Sequence, residues 1–196
     1  MYPPILSRVE ELGFKVFDSG DYDLNIIGIR SKASIPNKFD DILLCIYKEG
    51  GMWMQQWWPV TTDPGRYWLE NPLNKAGCAA VVADQQYRGV WKIGKHRNVY
   101  TALVQTGGKI KVHRDDNEDA IVDYRQDNIQ EGYFGINCHR STTRAGGAYS
   151  VDKYSAGCQV FQDPKHFDEF MELCKLQLKE HPTWTKFSYT LLNQWW

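Results

Sequence analysis

The chain lacks an excess of charge of either sign, because its 196 residues carry 23 Lys and Arg against 24 Asp and Glu, a net charge of −1. So balanced a surface offers no strong field to attract nucleic acid or an anionic membrane. The sequence also lacks any apolar run near the roughly 18 residues that a membrane-spanning helix needs. We therefore expect neither nucleic acid nor a membrane among its partners.

The cysteines lack regular spacing, and their odd number leaves at least one thiol free. The five are Cys45, Cys78, Cys138, Cys158 and Cys174. This pattern argues against a disulfide framework and fits synthesis in the cytoplasm. The first residues likewise lack the basic segment, apolar run and small-residue cleavage site of an export signal, so no signal peptide is expected.

Metal-binding motifs of the CxxC, HxH or HExxH type are also missing. Cys138, His139 and Cys158 could together supply three zinc ligands. However, adjacent residues of a strand point to opposite faces, so Cys138 and His139 should not converge on one ion. We expect no metal and no cofactor.

Aromatic residues are abundant, with eight Trp and eleven Tyr, and short segments of alternating apolar residues favour a mostly β (α+β) fold. The pattern predicts strands at 14–17, 24–30, 79–83, 89–94, 133–139 and 187–191, hairpins over 42–60 and 100–112, and helices at 5–12 and from 164 to near 181. Residues 1–37 should form an N-terminal helix-strand extension, with 31–37 as the connection to a main domain over 38–196. The length also suits one compact unit that contains both.

Two short stretches carry residues capable of covalent chemistry. Residues 133–140 alternate in the manner of a half-buried strand and place His139 where that strand ends. After a glycine-rich loop, residues 155–160 form a small-residue turn into Cys158, where Gly157 permits a tight bend with converging N–H groups. A thiol with an ordinary pKa of about 8.5 is mostly protonated at neutral pH, and an imidazole can accept its proton. The pattern predicts a cysteine nucleophile with a histidine base.

His139, the loop at Gly146-Gly147 and the turn Ser155-x-Gly157-Cys158 resemble the signature of the L,D-transpeptidase catalytic domain. The resemblance implies an L,D-transpeptidase-like β-sandwich or barrel between the N-terminal extension and a C-terminal helix. It also implies an enzyme that forms a thioester with a peptidoglycan stem peptide. The acyl group would pass to water, in an L,D-carboxypeptidase or endopeptidase, or to an amine, in an L,D-transpeptidase.

The resemblance also assigns roles to individual residues. Cys158 becomes the nucleophile and His139 the general base, while the main chain of Ala156, Gly157 and Cys158 becomes the oxyanion hole. The backbone carbonyl of Arg140 would orient the imidazole ring.

Substrate-binding candidates lie beside these residues: Arg140, Ser155 and Gln159. The Arg140 guanidinium could bind a carboxylate through two hydrogen bonds. His96 is predicted to lie on the surface, although residues 95–97 could contact an acidic stem peptide.

The sequence departs from the family pattern at two positions. Ala156 stands where the motif has a second histidine, and Gln159-Val160 follows the cysteine where the family has an aliphatic residue and then Arg or Asn. The acyl acceptor therefore stays open. An inactive cell-wall-binding or phage virion structural module of the same fold is the alternative function. The missing export signal fits a phage protein that reaches the wall in the virion or at lysis.

Overall fold

The computed structural model of the protein describes residues 2–33, 35 and 37–196. The described strands are β1 (Asn25–Arg30), β2 (Asp41–Glu49), β3 (Met52–Thr61), β4 (Cys78–Val81), β5 (Gln85–His96), β6 (Tyr100–Gln105), β7 (Ile110–Asp115), β8 (Ile129–Gly132), β9 (Cys138–Arg140), β10 (Gln159–Phe161) and β11 (Phe187–Asn193). The helices are α1 (Pro4–Glu11), α2 (Arg66–Glu70) and α3 (Pro164–Glu180). The predicted mostly β fold, with one helix near each end of the chain, is confirmed.

Within the described residues, eight strands close into a barrel in the order β1, β11, β5, β6, β9, β10, β3, β2. The remaining strands form a separate sheet in the order β4, β7, β8, which we call the small sheet. Closure gives each of these strands a neighbour on both sides, although β6 and β9 share a single residue pair, Leu103 with Cys138.

The N-terminal part of the chain is built into the barrel. Strand β1 lies between β11, to which it is parallel, and β2, to which it is antiparallel. Strand β1 therefore belongs to the same closed sheet as the strands that follow residue 37. The predicted connection over 31–37 includes Ser34 and Pro36, which lie outside the described residues.

Strand β1 is buried on both faces, which accounts for its nearly continuous apolar sequence. One face joins the main core through Ile26, and the other packs with Leu6 and Val9 of α1 through Ile27 and Ile29. Full burial of an aliphatic side chain of this size is worth about 1.5–3 kcal/mol. Helix α1 is therefore part of the folded unit.

Residues 14–17, predicted as a strand, form an extended connection without a partner strand. Side-chain amides take the place of that strand. The Asn25 amide accepts from the Phe17 N–H at 2.8 Å and donates to the Phe17 carbonyl at 2.8 Å. The Gln86 amide does the same for Lys15, at 3.0 and 2.8 Å.

Only one of the two predicted hairpins has the expected pairing. Strands β2 and β3 pair around a tight turn at Gly50 and Gly51, both of which have positive φ. Strands β6 and β7 do not pair with each other: β6 pairs with β5 and β9, whereas β7 pairs with β4 and β8. The chain leaves the barrel between them and builds the small sheet.

Helix α3 packs against β9 and β10. It begins at Pro164 behind an Asp163 cap, whose carboxylate accepts from the Lys165 N–H at 2.8 Å. Its buried face packs Phe167 and Phe170 against Phe161 of β10. Cys174 lies in this core, as predicted.

Candidate active site

A cleft of about 450 Å³ lies where the small sheet meets one end of the barrel. The barrel contributes His96, His139 and the turn that carries Cys158, and the small sheet contributes the opposite wall through Ala79 and Arg114. The predicted nucleophile and the predicted base therefore line the same cleft.

The turn before Cys158 is shaped by Ser155, which is completely buried. Its hydroxyl donates to the Cys158 carbonyl at 2.8 Å and accepts from the Gly157 N–H at 3.1 Å. Gly157 has a φ of +117°, and a Cβ there would lie 2.5 Å from the Ala79 carbonyl oxygen. Only glycine fits a position that combines this backbone angle with this close approach.

The Cys158 thiol rests between two backbone groups of the preceding loop. Its Sγ accepts from the Asn137 N–H at 3.4 Å, and its S–H donates to the Gly135 carbonyl at 3.5 Å. Cys158 is partly exposed, whereas the other four cysteines are buried. It is therefore the thiol that a molecule in the cleft can reach.

His139 is held with one ring nitrogen toward the protein and the other toward the cleft. Nδ1 donates to the Arg140 carbonyl at 2.8 Å, as expected, and lies 3.3 Å from the Tyr100 hydroxyl, which itself donates to the same carbonyl at 3.2 Å. Within the described residues, Nε2 has no hydrogen-bond partner, yet it is not among the buried unpaired polar atoms. Nε2 therefore opens into the cleft with its lone pair free.

The parallel pairing of β9 with β10 brings the turn that carries Cys158 beside the strand that carries His139. In this parallel pair His139 lies opposite Val160, and the Gln159 N–H donates to the Asn137 carbonyl at 2.9 Å. Cys158 directly precedes β10, and both Cys158 and His139 line the cleft. Within the described residues, no hydrogen bond joins Cys158 to His139, because the S–H points to Gly135.

His96, predicted as a surface residue, is instead buried and stacks on His139. The ring centroids are 4.0 Å apart and the planes are 23° from parallel. The Asn137 amide nitrogen donates to Nδ1 of His96 at 3.0 Å, while its oxygen accepts from the Gln105 N–H at 2.9 Å. Since Nδ1 accepts, the proton of neutral His96 lies on Nε2.

In the resting site, Cys158 is a neutral thiol and His139 is a neutral imidazole. Burial raises the pKa of Cys158 to about 11, although the charge of Arg97 opposes the change. Burial lowers the pKa of His139 to about 3, and neighbouring His96 adds to this effect. A charged pair would lose solvation in this cleft, so the thiolate must form at the moment of attack.

The expected oxyanion hole changes in one respect. The N–H of Gly157 is occupied by the Ser155 hydroxyl and cannot serve a substrate. Among the described residues, the N–H groups of Ala156 and Cys158 have no protein acceptor, and both residues line the cleft. They are the donors that remain for a developing oxyanion.

The three substrate-binding candidates do not reach the cleft with their side chains. Ser155 shapes the turn, and Gln159 is buried, where its carbonyl accepts from the Tyr189 hydroxyl at 2.6 Å. The Arg140 guanidinium lies 4.2 Å from the centroid of the Tyr100 ring and 4.0 Å from Asp168, in a different cavity. Since Arg140 follows His139 on a strand, the two side chains must point to opposite faces.

Two arginines line the cleft in place of Arg140. Arg97 stands in the turn between β5 and β6, beside His96, so its sequence position gave a signal. Arg114 lies within β7 and carries no motif. Only the packing of the small sheet against the barrel brings Arg114 to this place.

Another cavity, of about 470 Å³, includes Lys15, Arg88, Lys186 and Trp184 in its lining. Its described lining includes no cysteine or histidine, so it offers neither a thiol nor an imidazole base. Within the described residues, no group of three His, Cys, Asp or Glu side chains is arranged to hold a metal ion.

Comparison of the chain with models of protein families, with curated proteins and with solved structures finds no match in any of the three. The likeness to the L,D-transpeptidase domain therefore depends on the residues around His139 and Cys158. Within the part of the chain that the structure describes, no helix has both the length and the apolar character needed to cross a membrane.

Proposed function

We propose that the protein is a cysteine-dependent acyltransferase or peptidase that acts on peptidoglycan stem peptides, in the manner of an L,D-transpeptidase. One observation carries the proposal. The accessible thiol of Cys158 shares a cleft with the free Nε2 of His139, whose other nitrogen is fixed on the Arg140 carbonyl. A nucleophile, a base and a group that orients the base are the parts that covalent acyl transfer uses, and they support this proposal.

In the acylation step, Sγ of Cys158 attacks the scissile carbonyl while Nε2 of His139 takes the thiol proton. The N–H groups of Cys158 and Ala156 stabilise the oxyanion, each worth typically about 2.7–4 kcal/mol. Collapse of the tetrahedral intermediate breaks the C–N bond, and the imidazolium gives the proton to the leaving amine. A thioester on Cys158 remains, which water or an amine then resolves.

The structure of the site favours proton transfer during attack over a preformed ion pair. The Arg140 carbonyl and the Tyr100 hydroxyl hold the Nδ1 proton, and the His96 ring restrains the imidazole from one side. The stem peptide is proposed from the family resemblance. The cationic side chains of Arg97 and Arg114 suit its carboxylates.

Purified sacculi test this function directly. Incubation with the protein, followed by mass spectrometry of the muropeptides, is expected to reveal shortened stems if water is the acceptor and new cross-links if an amine is. Cys158→Ala should abolish both products. His113→Gln provides a matched control for His139→Gln, because His113 is also buried with Nδ1 2.8 Å from a backbone carbonyl, that of Arg125. Unchanged muropeptides with a folded protein would contradict the proposal.

An inactive wall-binding or virion structural module is the second candidate. The raised pKa of Cys158 and its S–H bond to Gly135 favour it, because the resting thiol is not activated. Acylation by a carbapenem separates the two functions, since it requires both attack and oxyanion stabilisation. Alkylation alone would not, because the other four cysteines are buried and Cys158 would react first through its exposure alone.

A further inference from the structure

Arg114 is a buried arginine that has no acidic partner among the described residues. Its side chain donates from Nε to the Gln130 side-chain oxygen at 3.0 Å and from Nη1 to the Gly77 carbonyl at 3.2 Å, and its guanidinium lies 4.6 Å from the centroid of the Phe134 ring. All three contacts are neutral. Within the described residues, no carboxylate lies within ion-pair distance of it, although the residue is only 4% exposed.

Arg30 is a second buried arginine in the same chain, and it differs from Arg114 because it forms an ion pair. It is 3% exposed, and its Nε lies 2.9 Å from a carboxylate oxygen of Asp63. Although burial opposes the charge, Asp63 keeps the pKa of Arg30 above its ordinary value, whereas burial lowers the pKa of Arg114. A buried charge without a counter-charge is energetically costly, and an anion that binds to Arg114 from outside the chain would offset this cost.

The unpaired part of the guanidinium faces the cleft. Nη2 of Arg114 has no hydrogen-bond partner in the described residues, yet it is not among the buried unpaired atoms, and Arg114 lines the cleft. Across the small sheet, Arg114 pairs with Ala79, whose carbonyl abuts Gly157 of the nucleophile turn. An anion on Arg114 would therefore share the cleft with a carbonyl held at Cys158.

We infer that Arg114 is a specificity-determining residue that binds a carboxylate of the acyl-donor peptide close to its scissile bond. The inference rests on the proposed function for the identity of the peptide. Gln130 and the Gly77 carbonyl fix two of the guanidinium nitrogens, and Phe134 supports its face, so the free nitrogen is already oriented for a ligand. Arg97, which follows His96 in the chain, also lines the cleft and adds positive potential to it.

Synthetic stem tetrapeptides test the inference. One has free carboxylates, a second carries a carboxamide at the α-carboxyl of the residue before the acyl donor, and a third carries a carboxamide at the C-terminus. For the wild-type protein, one of the two amidations is expected to lower kcat/KM by about ten- to hundredfold, the range for a hydrogen bond to a charged group. Arg114→Gln should lower kcat/KM for the free peptide by a similar factor and should no longer distinguish it from that amide.

Arg88→Gln is the matched control, because Arg88 also stacks over a phenylalanine, 5.3 Å from the Phe17 ring centroid, but lines the other cavity. It should keep the full discrimination. Circular dichroism checks the folding of each variant. If Arg114→Gln does not fold, Arg97→Gln provides the test. If this variant still distinguishes the free peptide from its amide, the result supports Arg114. If it no longer distinguishes them, the carboxylate is assigned to Arg97 and the inference is overturned.

Binding to Cys158→Ala separates this inference from the proposed function. The same peptides are titrated while tryptophan fluorescence is followed, which requires no turnover. Carboxylate-dependent binding that needs Arg114, without any turnover by the wild-type protein, would support the subsite and refute the acyl-transfer function. Turnover with equal kcat/KM for all three peptides would overturn the subsite and leave the function standing, and neither turnover nor binding would refute both.

Discussion

At the scale of single residues, Cys158 rests as a thiol that is bonded to the Gly135 carbonyl and not to the imidazole. Its pKa of about 11 means that reaction with iodoacetamide should rise about tenfold per pH unit between pH 7 and 9.5, as the thiolate fraction rises. Alkylation followed by peptide mass spectrometry measures this rate at Cys158 alone. A rate that stays level across this range would reveal a preformed thiolate and contradict a neutral resting pair.

Loss of the base, His139, should slow acylation of Cys158 but should have little effect on the rate of its alkylation. His139→Gln is expected to slow carbapenem acylation of Cys158 by about 10²–10⁴-fold, the usual range for a general base, because no other group takes the thiol proton. Alkylation by iodoacetamide should change by less than about threefold, since the pKa of Cys158 is raised mainly by burial. Equal losses in both reactions would indicate a structural role for His139, and His113→Gln should leave both rates unchanged.

Gly157 and Gly135 offer a paired test of the nucleophile turn. At Gly157 a Cβ would meet the Ala79 carbonyl at 2.5 Å with φ at +117°, whereas at Gly135, with φ at +72°, it would meet nothing within 4 Å. We expect Gly157→Ala to lower the free energy of unfolding by about 2 kcal/mol or more and Gly135→Ala by only about 1 kcal/mol. Urea unfolding measures both, and equal losses would show that the turn relaxes away from Ala79.

At the scale of elements, side-chain amides hydrogen-bond to the backbone of residues 14–17, as a neighbouring strand would otherwise do. The buried Asn25 amide serves the N–H and carbonyl of Phe17 and also donates to the Ile46 carbonyl at 3.1 Å. Asn25→Ala should therefore lower the free energy of unfolding by about 2–4 kcal/mol, because buried backbone groups lose their partners. Asn193→Ala, at an exposed amide bonded to Asp84 at 2.9 Å, should cost less than about 1 kcal/mol. Similar costs in guanidinium unfolding would show that residues 14–17 do not depend on Asn25.

The small sheet is the element that completes the site. Its strand β4 precedes the β5–β6 hairpin in the chain, and its strand β7 follows that hairpin. The stretch over 100–112, which was predicted to be one hairpin, is therefore divided: β6 belongs to the barrel and β7 to the small sheet. The periodicity of Tyr100–Gln105 and Ile110–Asp115 identified both strands, but period-two patterns do not name a partner strand. Arg114 could not be assigned to the cleft without that partner.

At the scale of the whole molecule, two buried groups give opposite dependences of stability on pH. Burial, then Asp63, raises the pKa of Asp41 to about 7, so between about pH 4 and 7 the native state holds a proton that the unfolded chain releases, and stability falls as pH rises. His139, with its pKa lowered to about 3, stays neutral where the unfolded chain becomes protonated below about pH 6.5, so its contribution rises with pH.

Urea unfolding between pH 4 and 6.5 separates these contributions. The stability difference between wild type and His139→Gln should increase with pH, and that between wild type and Asp41→Asn should decrease, each by up to about 1.4 kcal/mol per pH unit. Differences between variants cancel the groups that they share. A difference of constant size across this range would mean that the group in question does not change its pKa on folding.

The sequence alone determined the parts of this protein that depend on neighbours in the chain. It specified the amphipathic helices at each end, the β2–β3 hairpin with its two glycines, and a turn into Cys158 that only Gly157 can make, because periodicity and backbone angles are local properties. The resemblance to the L,D-transpeptidase domain, and not the local pattern, implied that the Arg140 carbonyl would orient the His139 ring, and Nδ1 of His139 does lie 2.8 Å from that carbonyl oxygen.

Only the tertiary structure decided which side chains face the cleft. Arg140 and Gln159 lie next to the reactive residues in sequence but point to other faces of their strands, whereas His96 and Arg114 are distant in sequence and line the site. The closure of the barrel brings His96 onto His139, and the packing of the small sheet brings Arg114 toward Cys158. Contacts between strands depend on which strands become neighbours, and local sequence does not encode that choice.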